Sequence, residues 1–328
     1  MNLREVSIHQ ESWPLRGVFR ISRGAYTEIP LVMVEIREGM AVGRGECRPY
    51  PRYGESAQGV ASGIKALVPA LEAGMEREEL NAMLAPGAVR NAIDCALWDL
   101  ASKRSGLPAW QLAGLLPPQP LSTAYTLSVD TPANLAQAAR IEASRPLLKL
   151  KLDGAGDLDR VAAVRANAPD ARLIVDANEA WTSADYQSLA PELARIGVEM
   201  LEQPFPSDCD HWLAALDRPL PVCADESCHA AASLKGLAGL YDVVNIKLDK
   251  AGGLTEALRM KALAEGCGFK IMVGCMVATS LSMAPAFLLA QGAAYVDIDG
   301  PLLLQDDRQH GLSYAGSQVF PPSAELWG

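Results

Sequence analysis

The stretch ARLIVDAN, residues 171–178, closes a short apolar run with an acid and a turn-forming asparagine. Two later stretches repeat this pattern, VEMLEQP at 198–204 and LPVCADES at 220–227. Each has the length and apolar content of a strand that is buried on both faces, and each finishes in a carboxylate. The repetition favours a parallel sheet whose strands end in polar residues.

The same pattern extends in both directions along the chain. Five further runs are predicted strands, which makes eight in all: STAYTLS, LLKLKL, DVVNIKL, FKIMVG and AAYVDIDG. Successive strand ends lie roughly 22 to 27 residues apart, enough for one strand and one helix per unit. Eight such units predict an α/β fold closed as a (β/α)8 barrel of the TIM type. An open doubly wound sheet has the same local pattern, but no glycine-rich dinucleotide fingerprint follows a first strand.

The first hundred or so residues predict a separate α+β unit. REVSIHQ, EIPLVMVEIRE and MAVGRGECR are predicted strands with a hairpin turn at REGM, and SAQGVASGIKALVPALEAG and AVRNAIDCALWDLASKRSG have helical spacing. The proline-rich LLPPQP, residues 115–120, marks the boundary. We therefore predict an N-terminal domain over 1–117, a barrel domain over 118–300 and a C-terminal segment, 301–328, that returns to the first domain.

Composition and charge argue against several function classes. The 328 residues are 49% hydrophobic with a formal net charge of -10, and no block of Lys and Arg with interleaved aromatics suggests a nucleic-acid partner. The N-terminus lacks the apolar core of a signal peptide, so we expect a cytoplasmic protein without a membrane partner. Seven cysteines without C-x-x-C spacing are expected to be reduced, and four scattered histidines predict no zinc cluster.

Three acids, Asp176, Glu202 and Asp225, stand at the ends of three consecutive predicted strands. In a barrel these ends converge on one mouth, where the acids would repel one another unless a cation joined them. Three oxygen ligands with waters and substrate suit an octahedral Mg²⁺. A single such acid is more often a helix N-cap or a solvated loop residue, but three in successive units favour a metal site.

Lysines flank these acids in the sequence. Lys149 and Lys151 share one face of the preceding strand because they are two residues apart, and Lys247 ends the strand that follows. A neighbouring ammonium and partial burial would lower the pKa of Lys151 and make it a base. The alternative for a K-x-K pair is an exposed edge strand whose lysines prevent aggregation, which the flanking leucines disfavour.

Two opposed bases across a metal-bound carboxylate suggest inversion of a stereocentre. One lysine would remove the proton α to the carboxylate to give an enediolate, and the other would return a proton to the opposite face. Two other classes remain open: a Schiff-base lyase, which needs one desolvated lysine and no metal triad, and a ligand-binding barrel without catalysis.

In combination these motifs resemble the enolase superfamily, in its muconate-lactonizing-enzyme subgroup, over essentially the whole chain. The motifs are K-x-K at 149–151, DAN at 176–178, EQP at 202–204, ADES at 224–227 and NIKLDKAGG from 245. The resemblance implies a capping N-terminal α+β domain on a modified (β/α)8 barrel. It also implies one Mg²⁺ per subunit, with Mn²⁺ as a possible substitute, held by Asp176, Glu202 and Asp225. Lys151 and Lys247 would be the acid/base pair, and Lys149 would assist Lys151 and hold the substrate carboxylate.

The eighth predicted strand narrows the substrate. Asp297 and Asp299 are two residues apart and resemble the D-x-D of dipeptide epimerases, where two acids bind the substrate's α-ammonium. Buried acids suit an ammonium and would repel the dianionic substrates of cycloisomerases and o-succinylbenzoate synthases, which share the other motifs. A solvated turn before Gly300 is the alternative reading of these two acids.

Residues of the cap and of the pocket bear on which side chain is preferred in the substrate's second residue. Arg23, in the predicted cap loop FRISRGAYTE, resembles the arginine that holds a glutamate side chain in epimerases acting on Ala-Glu, and ECRPYPRYGES at 46–56 resembles their second mobile loop. Cys275 and Met276 are expected to pack on the substrate, with a core role as the alternative. The resemblance therefore implies a small-molecule dipeptide substrate, L-Ala-D-Glu or L-Ala-L-Glu, inverted at its second residue, as in murein peptide recycling. Another dipeptide or an N-acylamino acid is the alternative, and the sequence leaves the oligomeric state open.

Overall fold

The computed structural model describes residues 4–328, and its first layer is an antiparallel sheet covered by helices. The sheet has the order β1-β2-β3 and consists of β1 (Arg4–Ile21), β2 (Gly24–Glu38) and β3 (Ala41–Cys47). A 3-10 turn, Pro51–Tyr53, precedes the helices α1 (Ala57–Glu72), α2 (Arg77–Met83), α3 (Ala88–Ser105) and α4 (Ala109–Leu112). α3 lies directly on β3, where a Cβ on Gly45 would stand 2.0 Å from Ala92 O. The predicted strands, the turn at REGM and the two predicted helices of this unit are confirmed.

The hairpin between β1 and β2 is longer than the sequence predicted. FRISRGAYTE was expected to be a loop, but Phe19 pairs with Tyr26 and only Ser22 and Arg23 lie between the two strands. A register shift between Pro14 and Phe19 bends β1. The pairing depends on contacts across the two strands, which a local reading of polar and glycine residues does not reveal.

The second layer is a barrel of parallel strands whose order follows the chain. After the short β4 (Leu121–Ser122), its strands are β5 (Tyr125–Leu127), β6 (Leu147–Lys151), β7 (Arg172–Asp176), β8 (Val198–Glu202), β9 (Val222–Ala224), β10 (Val243–Ile246), β11 (Lys270–Gly274) and β12 (Tyr295–Asp297). Ala124 N donates to Val296 O at 2.8 Å and so links the first and last strand segments. The predicted barrel is confirmed, and the open doubly wound alternative is wrong.

Helices cover the outside of the barrel. They are α5 (Pro132–Ile141), α6 (Asp157–Asn167), α7 (Ser183–Arg195), α8 (Leu234–Leu237), α9 (Leu248–Ala251), α10 (Leu254–Gly266), α11 (Ser280–Leu289) and α12 (Gly300–Leu303). Two units depart from the expected full helix: Ser207–Ala215 is 3-10, and Ala231–Ser233 precedes the single turn α8. Prolines at 204, 206, 219 and 221 remove backbone donors around the first of these segments, which disfavours a full α-helix.

The chain end packs on both layers. β13 (Tyr314–Ala315) and β14 (Gln318–Val319) form a small antiparallel sheet with β4. Trp327 Nε1 donates to Cys95 O at 3.0 Å, and Arg308 forms ion pairs with Glu11 and Glu46 of the cap. Within residues 4–328, none of the helices has the length and apolar character needed to span a bilayer.

Candidate active site

The barrel interior is arranged in layers because residues two apart on a strand share a face. The lower layer is apolar and takes residues from all eight strand segments: Ala124, Leu147, Ile174, Met200, Cys223, Val243, Met272 and Tyr295. Two positions further along seven of the same segments the residues are polar: Thr126, Lys149, Asp176, Glu202, Asp225, Asn245 and Asp297. The strands thus place a buried polar layer at their carboxyl ends, above a dry apolar floor.

The three acids predicted as metal ligands lie together in this layer. Asp176, Glu202 and Asp225 are at most 2% exposed, and one carboxylate oxygen of each lies within 4.8 Å of the others. Asp176 is directly paired with Glu202 in the register of β7 and β8. The register of neighbouring parallel strands therefore brings the three acids to one height in the barrel.

Lys149 and Lys151 both point into the barrel beside these acids. Lys149 Nζ lies 2.7 Å from Glu202 Oε2, 2.8 Å from Asp297 Oδ2 and 3.3 Å from Asp176 Oδ2. Lys151 Nζ lies 2.5 Å from the same Asp176 oxygen. The alternative of an exposed edge strand is therefore wrong, since both lysines are buried among acids.

Lys247 approaches the acids from the other flank. Its Nζ lies 2.7 Å from Asp225 Oδ2, while Lys250 Nζ, from α9, contacts Asp225 Oδ1 at 2.5 Å. Lys151 ends β6 and Lys247 follows β10, so the two lysines bracket the three strands that carry the acids. Chemically, this arrangement offers one amine on each side of a central anionic cluster.

The charges of this cluster compensate one another. Burial raises the pKa of Glu202 to about 7, with Asp176 adding to the shift and Lys149 opposing it. Burial also raises the pKa of Asp176, but Lys151 and Lys149 outweigh it and lower that pKa to about 2. For Lys247, burial lowers the pKa, but Asp225 and Glu202 raise it well above its usual value. The lysine ammonium groups therefore stabilise the ionised acids, and a cation would share the same oxygens.

The residues present fit a divalent cation. The possible ligands are carboxylate oxygens, which Mg²⁺ prefers. Within the described residues, Glu202 Oε2 accepts no hydrogen bond of good geometry, although Lys149 Nζ lies 2.7 Å away. Asn245 Nδ2 donates to Glu202 Oε1 at 2.7 Å and thereby fixes the orientation of this carboxyl group. The unsatisfied oxygen and the hard donor set are both what a magnesium site requires.

Asp297 and Asp299 stand at the end of β12 and contact different groups. Asp297 Oδ2 pairs with Lys149, while its Oδ1 is buried and accepts no hydrogen bond from residues 4–328. Asp299 Oδ2 accepts a hydrogen bond from Thr126 N at 2.6 Å, and burial together with Asp297 raises the pKa of Asp299 to about 7. Thus both acids reach the barrel mouth, and Asp297 has one oxygen left for a further donor.

Arg23, at the tip of the β1–β2 hairpin, already contacts carboxylates. Its Nη2 lies 2.7 Å from Glu226 Oε1 and its Nη1 lies 3.2 Å from Glu179 Oε2. Arg52 donates two hydrogen bonds of 2.8 Å to the same Glu179. Glu179, in the loop after β7, therefore joins both cap segments to the barrel mouth.

A cavity lies between the cap and the barrel. Its walls include Lys151 and Lys247 from the barrel and Cys275 and Met276 from the loop after β11. Met276 is buried and Cys275 is partly exposed. The cavity therefore brings the predicted acid/base lysines and the predicted packing residues to one space.

The sequence reading missed several residues of the site. Asn245 had a signal, because it is two residues before Lys247 and shares its face; Gly274 leaves room for it, since a Cβ there would lie 2.6 Å from Asn245 Oδ1. Lys250, Glu179 and Glu226 had no signal of this kind, since their partners lie far away in the sequence.

Family comparison agrees with the fold and the polar layer, which together define an enolase-type barrel. The family model described as "Enolase C-terminal domain-like" matches residues 133–323. The model described as "Mandelate racemase / muconate lactonizing enzyme, N-terminal domain" matches residues 3–114. The chain belongs to this mandelate racemase and muconate lactonizing enzyme family of the enolase superfamily, and the acidic triad fits the magnesium site of that superfamily.

Two characterised relatives are similar over almost the whole chain. The L-Ala-D/L-Glu epimerase of Escherichia coli (strain K12) is 45% identical over 319 residues, which are 97% of this chain and 99% of that protein. The N-acetyl-D-glutamate racemase of a Pseudoalteromonas species is 44% identical over 302 residues, 91% of this chain and 95% of that protein. Both names describe inversion at a glutamate residue.

Solved structures give the same picture. An enolase family member from Agrobacterium tumefaciens with homology to dipeptide epimerases, bound to sodium and L-Ala-L-Glu, has a TM-score of 0.97 and 51% identity, covering 99% of this chain and 100% of that one. A dipeptide epimerase from Enterococcus faecalis V583, complexed with Mg and L-Leu-L-Tyr, has a TM-score of 0.92 and 29% identity, covering 100% and 99%.

Proposed function

We propose that this protein is an Mg²⁺-dependent dipeptide epimerase, an isomerase that inverts the α-carbon of the C-terminal residue. The preferred pair of substrates is L-Ala-D-Glu and L-Ala-L-Glu. The observation that carries the proposal is the pair of buried lysines, Lys151 and Lys247, on opposite flanks of the acidic triad. The similarity to the Escherichia coli epimerase, and to an enolase family member whose crystal structure holds L-Ala-L-Glu, supports the substrate class.

In this proposal each side chain of the polar layer has a distinct task. Asp176, Glu202 and Asp225 would hold the cation, whose charge stabilises the enediolate formed from the substrate carboxylate. A cation bound to the acids would offset the negative charge that keeps these lysines protonated, and the neutral amine of Lys151 or Lys247 would then take the α-proton from its own face of the substrate. The opposite ammonium then gives a proton to the other face of the same carbon, which returns a carboxylate with inverted configuration.

The remaining predicted residues would position the substrate. Lys149 would stabilise the substrate carboxylate beside the triad, and Asp297 with Asp299 would accept hydrogen bonds from the α-ammonium. The free oxygen of Asp297 supports this role. Cys275 and Met276 would pack on the dipeptide. That Arg23 binds the glutamate side chain stays a prediction, since its guanidinium already contacts Glu179 and Glu226.

A second candidate is racemisation of an N-acylated glutamate. It is favoured by the similarity to the Pseudoalteromonas racemase and by the ion pair between Asp297 and Lys149, which neutralises part of the D-x-D charge before any ammonium arrives. The two candidates share every proton-transfer step. They differ in the acyl group on the glutamate nitrogen, which carries a free α-ammonium in a dipeptide and none in an N-acyl glutamate.

Three further elements of the proposal concern context. Murein-derived peptides would supply the dipeptide, and the protein would act in the cytoplasm. The functional division would be a cap over 1–117, a barrel over 118–300 and a returning segment over 301–328. Contacts of Arg308 and Trp327 with the cap support the last assignment.

Incubation in D₂O with Mg²⁺ tests the proposed function. With L-Ala-L-Glu we expect deuterium at the α-carbon of the glutamate, read by mass, together with the D-epimer; chelation of the metal should abolish both. N-acetyl-glutamate in a parallel reaction separates the two candidates. Absence of exchange across a library of dipeptides would contradict the epimerase proposal.

A further inference from the structure

Arg48 is a buried arginine with few partners. It directly follows β3, and only 4% of the residue is exposed. Its guanidinium has five N–H donors, but the contact found within residues 4–328 is a hydrogen bond of 3.3 Å from Nη1 to Val277 O, while Nε has no acceptor there. A buried cation with so few partners is unfavourable unless another group supplies the missing hydrogen-bond acceptors.

Other buried arginines of the chain are satisfied differently. Arg4 pairs with Glu38 and Glu76. Arg90 donates to the backbone carbonyls of Leu84, Ala251 and Gly252. Arg48 has neither a carboxylate partner nor a set of carbonyls in the described part of the chain, so its position points to a ligand rather than to structural pairing.

Arg48 lines the active-site cavity together with Lys151, Lys247 and Arg23. The rings of Tyr26 and Tyr50 lie 5.4 and 5.7 Å from its Cζ, close enough for cation–π attraction that holds the group in place. The charge is therefore positioned before a ligand arrives.

The backbone of Arg48 is fixed separately from its side chain. Arg48 N donates to Asp249 Oδ1 at 3.0 Å, and Asn91 Nδ2 donates to the same oxygen at 2.8 Å. Asp249 thus accepts hydrogen bonds from the main chain of Arg48 and from Asn91, and none from the guanidinium within the described residues. Arg23 differs, because its guanidinium contacts the carboxylates of both Glu179 and Glu226, the first of which it shares with Arg52.

We infer that Arg48 determines substrate specificity by binding the side-chain carboxylate of an acidic dipeptide, whereas Arg23 is a positioning residue that holds the hairpin tip on the barrel. This inference rests on the proposed function. A carboxylate would accept charge-assisted hydrogen bonds from the free N–H groups of Arg48. A neutral side chain of the same shape would leave the guanidinium without a charged acceptor.

The test compares L-Ala-L-Glu with L-Ala-L-Gln, which differ only in the side-chain charge. Arg48→Met should lower the ratio of kcat/KM for these two substrates by roughly 10- to 100-fold, mainly through KM for the acidic one. Arg48→Lys keeps the charge but not the planar donor pair, and should lower the ratio less. The matched variant Arg23→Met should keep the ratio within about threefold, because it weakens loop closure for both substrates.

The possible outcomes are distinct. A ratio that is unchanged in both Arg48 variants, or one that falls only in Arg23→Met, would overturn the inference while leaving the epimerase proposal in place. Should Arg48→Met fail to fold, binding of the two dipeptides to the unmodified protein and to Arg48→Lys is measured by calorimetry with Mg²⁺. Tighter binding of L-Ala-L-Glu than of L-Ala-L-Gln by the unmodified protein, with weaker binding of L-Ala-L-Glu by Arg48→Lys, supports the role of Arg48. If the unmodified protein exchanges no α-proton with any dipeptide, the proposed function and this inference both fail.

Discussion

The barrel interior and the seam between cap and barrel carry charge in different ways. In the interior, Lys151 and Asp176 are register partners on neighbouring strands, and both are buried. In the seam, Arg23 and Arg52 reach from the cap to Glu179, and the Arg52 side chain is 38% exposed. Groups fixed by strand register suit proton transfer, which needs constant distances, whereas groups on the hairpin tip and loops can move to admit a substrate.

The loop after β7 connects the two regions. Asn178 and Glu179 have φ values of 44° and 68°, in the left-handed region that side chains other than glycine rarely adopt. Such backbone conformations are unfavourable and concentrate at functional sites. These two backbone conformations direct the Glu179 side chain towards the cap. The chain therefore passes from the barrel interior, at Asp176, to the seam within three residues.

The largest effects are expected in the interior. Lys151→Met and Lys247→Met, made separately, should each reduce α-proton exchange from one epimer of Ala-Glu by about 10³-fold, because the amine on that face is missing. Exchange from the other epimer should continue. Deuterium incorporation from D₂O into each pure epimer measures the two rates independently.

Equal loss of exchange from both epimers in both lysine variants would contradict two opposed bases. Because each substitution also removes one of the two lysines that contact Asp176 or Asp225, Mg²⁺ binding by calorimetry and the circular dichroism spectrum serve as controls. Both should show a folded protein that still binds the metal.

In the seam a smaller and less selective effect is expected. Glu179→Gln removes the charge that joins Arg23 and Arg52 to the barrel, and partly exposed pairs of this kind contribute about 0.2 to 1 kcal/mol. KM should rise roughly threefold for L-Ala-L-Glu and L-Ala-L-Gln alike, with less effect at high salt. A rise in KM for L-Ala-L-Glu alone would mean that Glu179 and its arginine partners discriminate the charge of the substrate, in addition to holding the cap on the barrel.

The smallest effect is expected on the free energy of unfolding and concerns Asp249, which accepts a hydrogen bond from Arg48 N where the two regions meet. Burial raises the pKa of Asp249 to about 7, whereas an unfolded chain has a value near 3.9. Between about pH 4 and 7 the folded protein keeps a proton that the unfolded chain has lost, so this group makes stability fall as pH rises. Asp249→Asn can accept both hydrogen bonds at Oδ1, and its stability relative to the parent should increase across this range.

Thermal unfolding of Asp249→Asn and the parent protein at several pH values measures this difference. Asp170→Asn, at an exposed acid, is the matched control and should give a difference that does not change with pH. A flat difference for Asp249→Asn as well would show that its carboxyl group is not held protonated by burial.

The sequence alone determined the barrel and the charged residues of its polar layer. Apolar runs, strand-length spacing and alternation with period two are local properties, so they predicted the eight strands and placed Lys149 and Lys151 on one face. For the same reason the acids of β7, β8 and the β9 end could be matched to one mouth. The short 3-10 units and the long β1–β2 hairpin were not predicted, because they depend on packing and on pairing between strands.

Only the tertiary structure decided which charges meet. Arg23 finds Glu226 across 203 residues of chain, and Arg52 finds Glu179 across 127, so no spacing in the sequence indicates either pair. Arg23 and Arg48 are both arginines of cap segments and both line the cavity. Folding nevertheless gives Arg23 two carboxylate partners and gives Arg48 none within the described residues. The alternation of a strand depends on neighbouring residues in the sequence. The electrostatic environment of a side chain depends on the charges of groups that only the folded chain brings together.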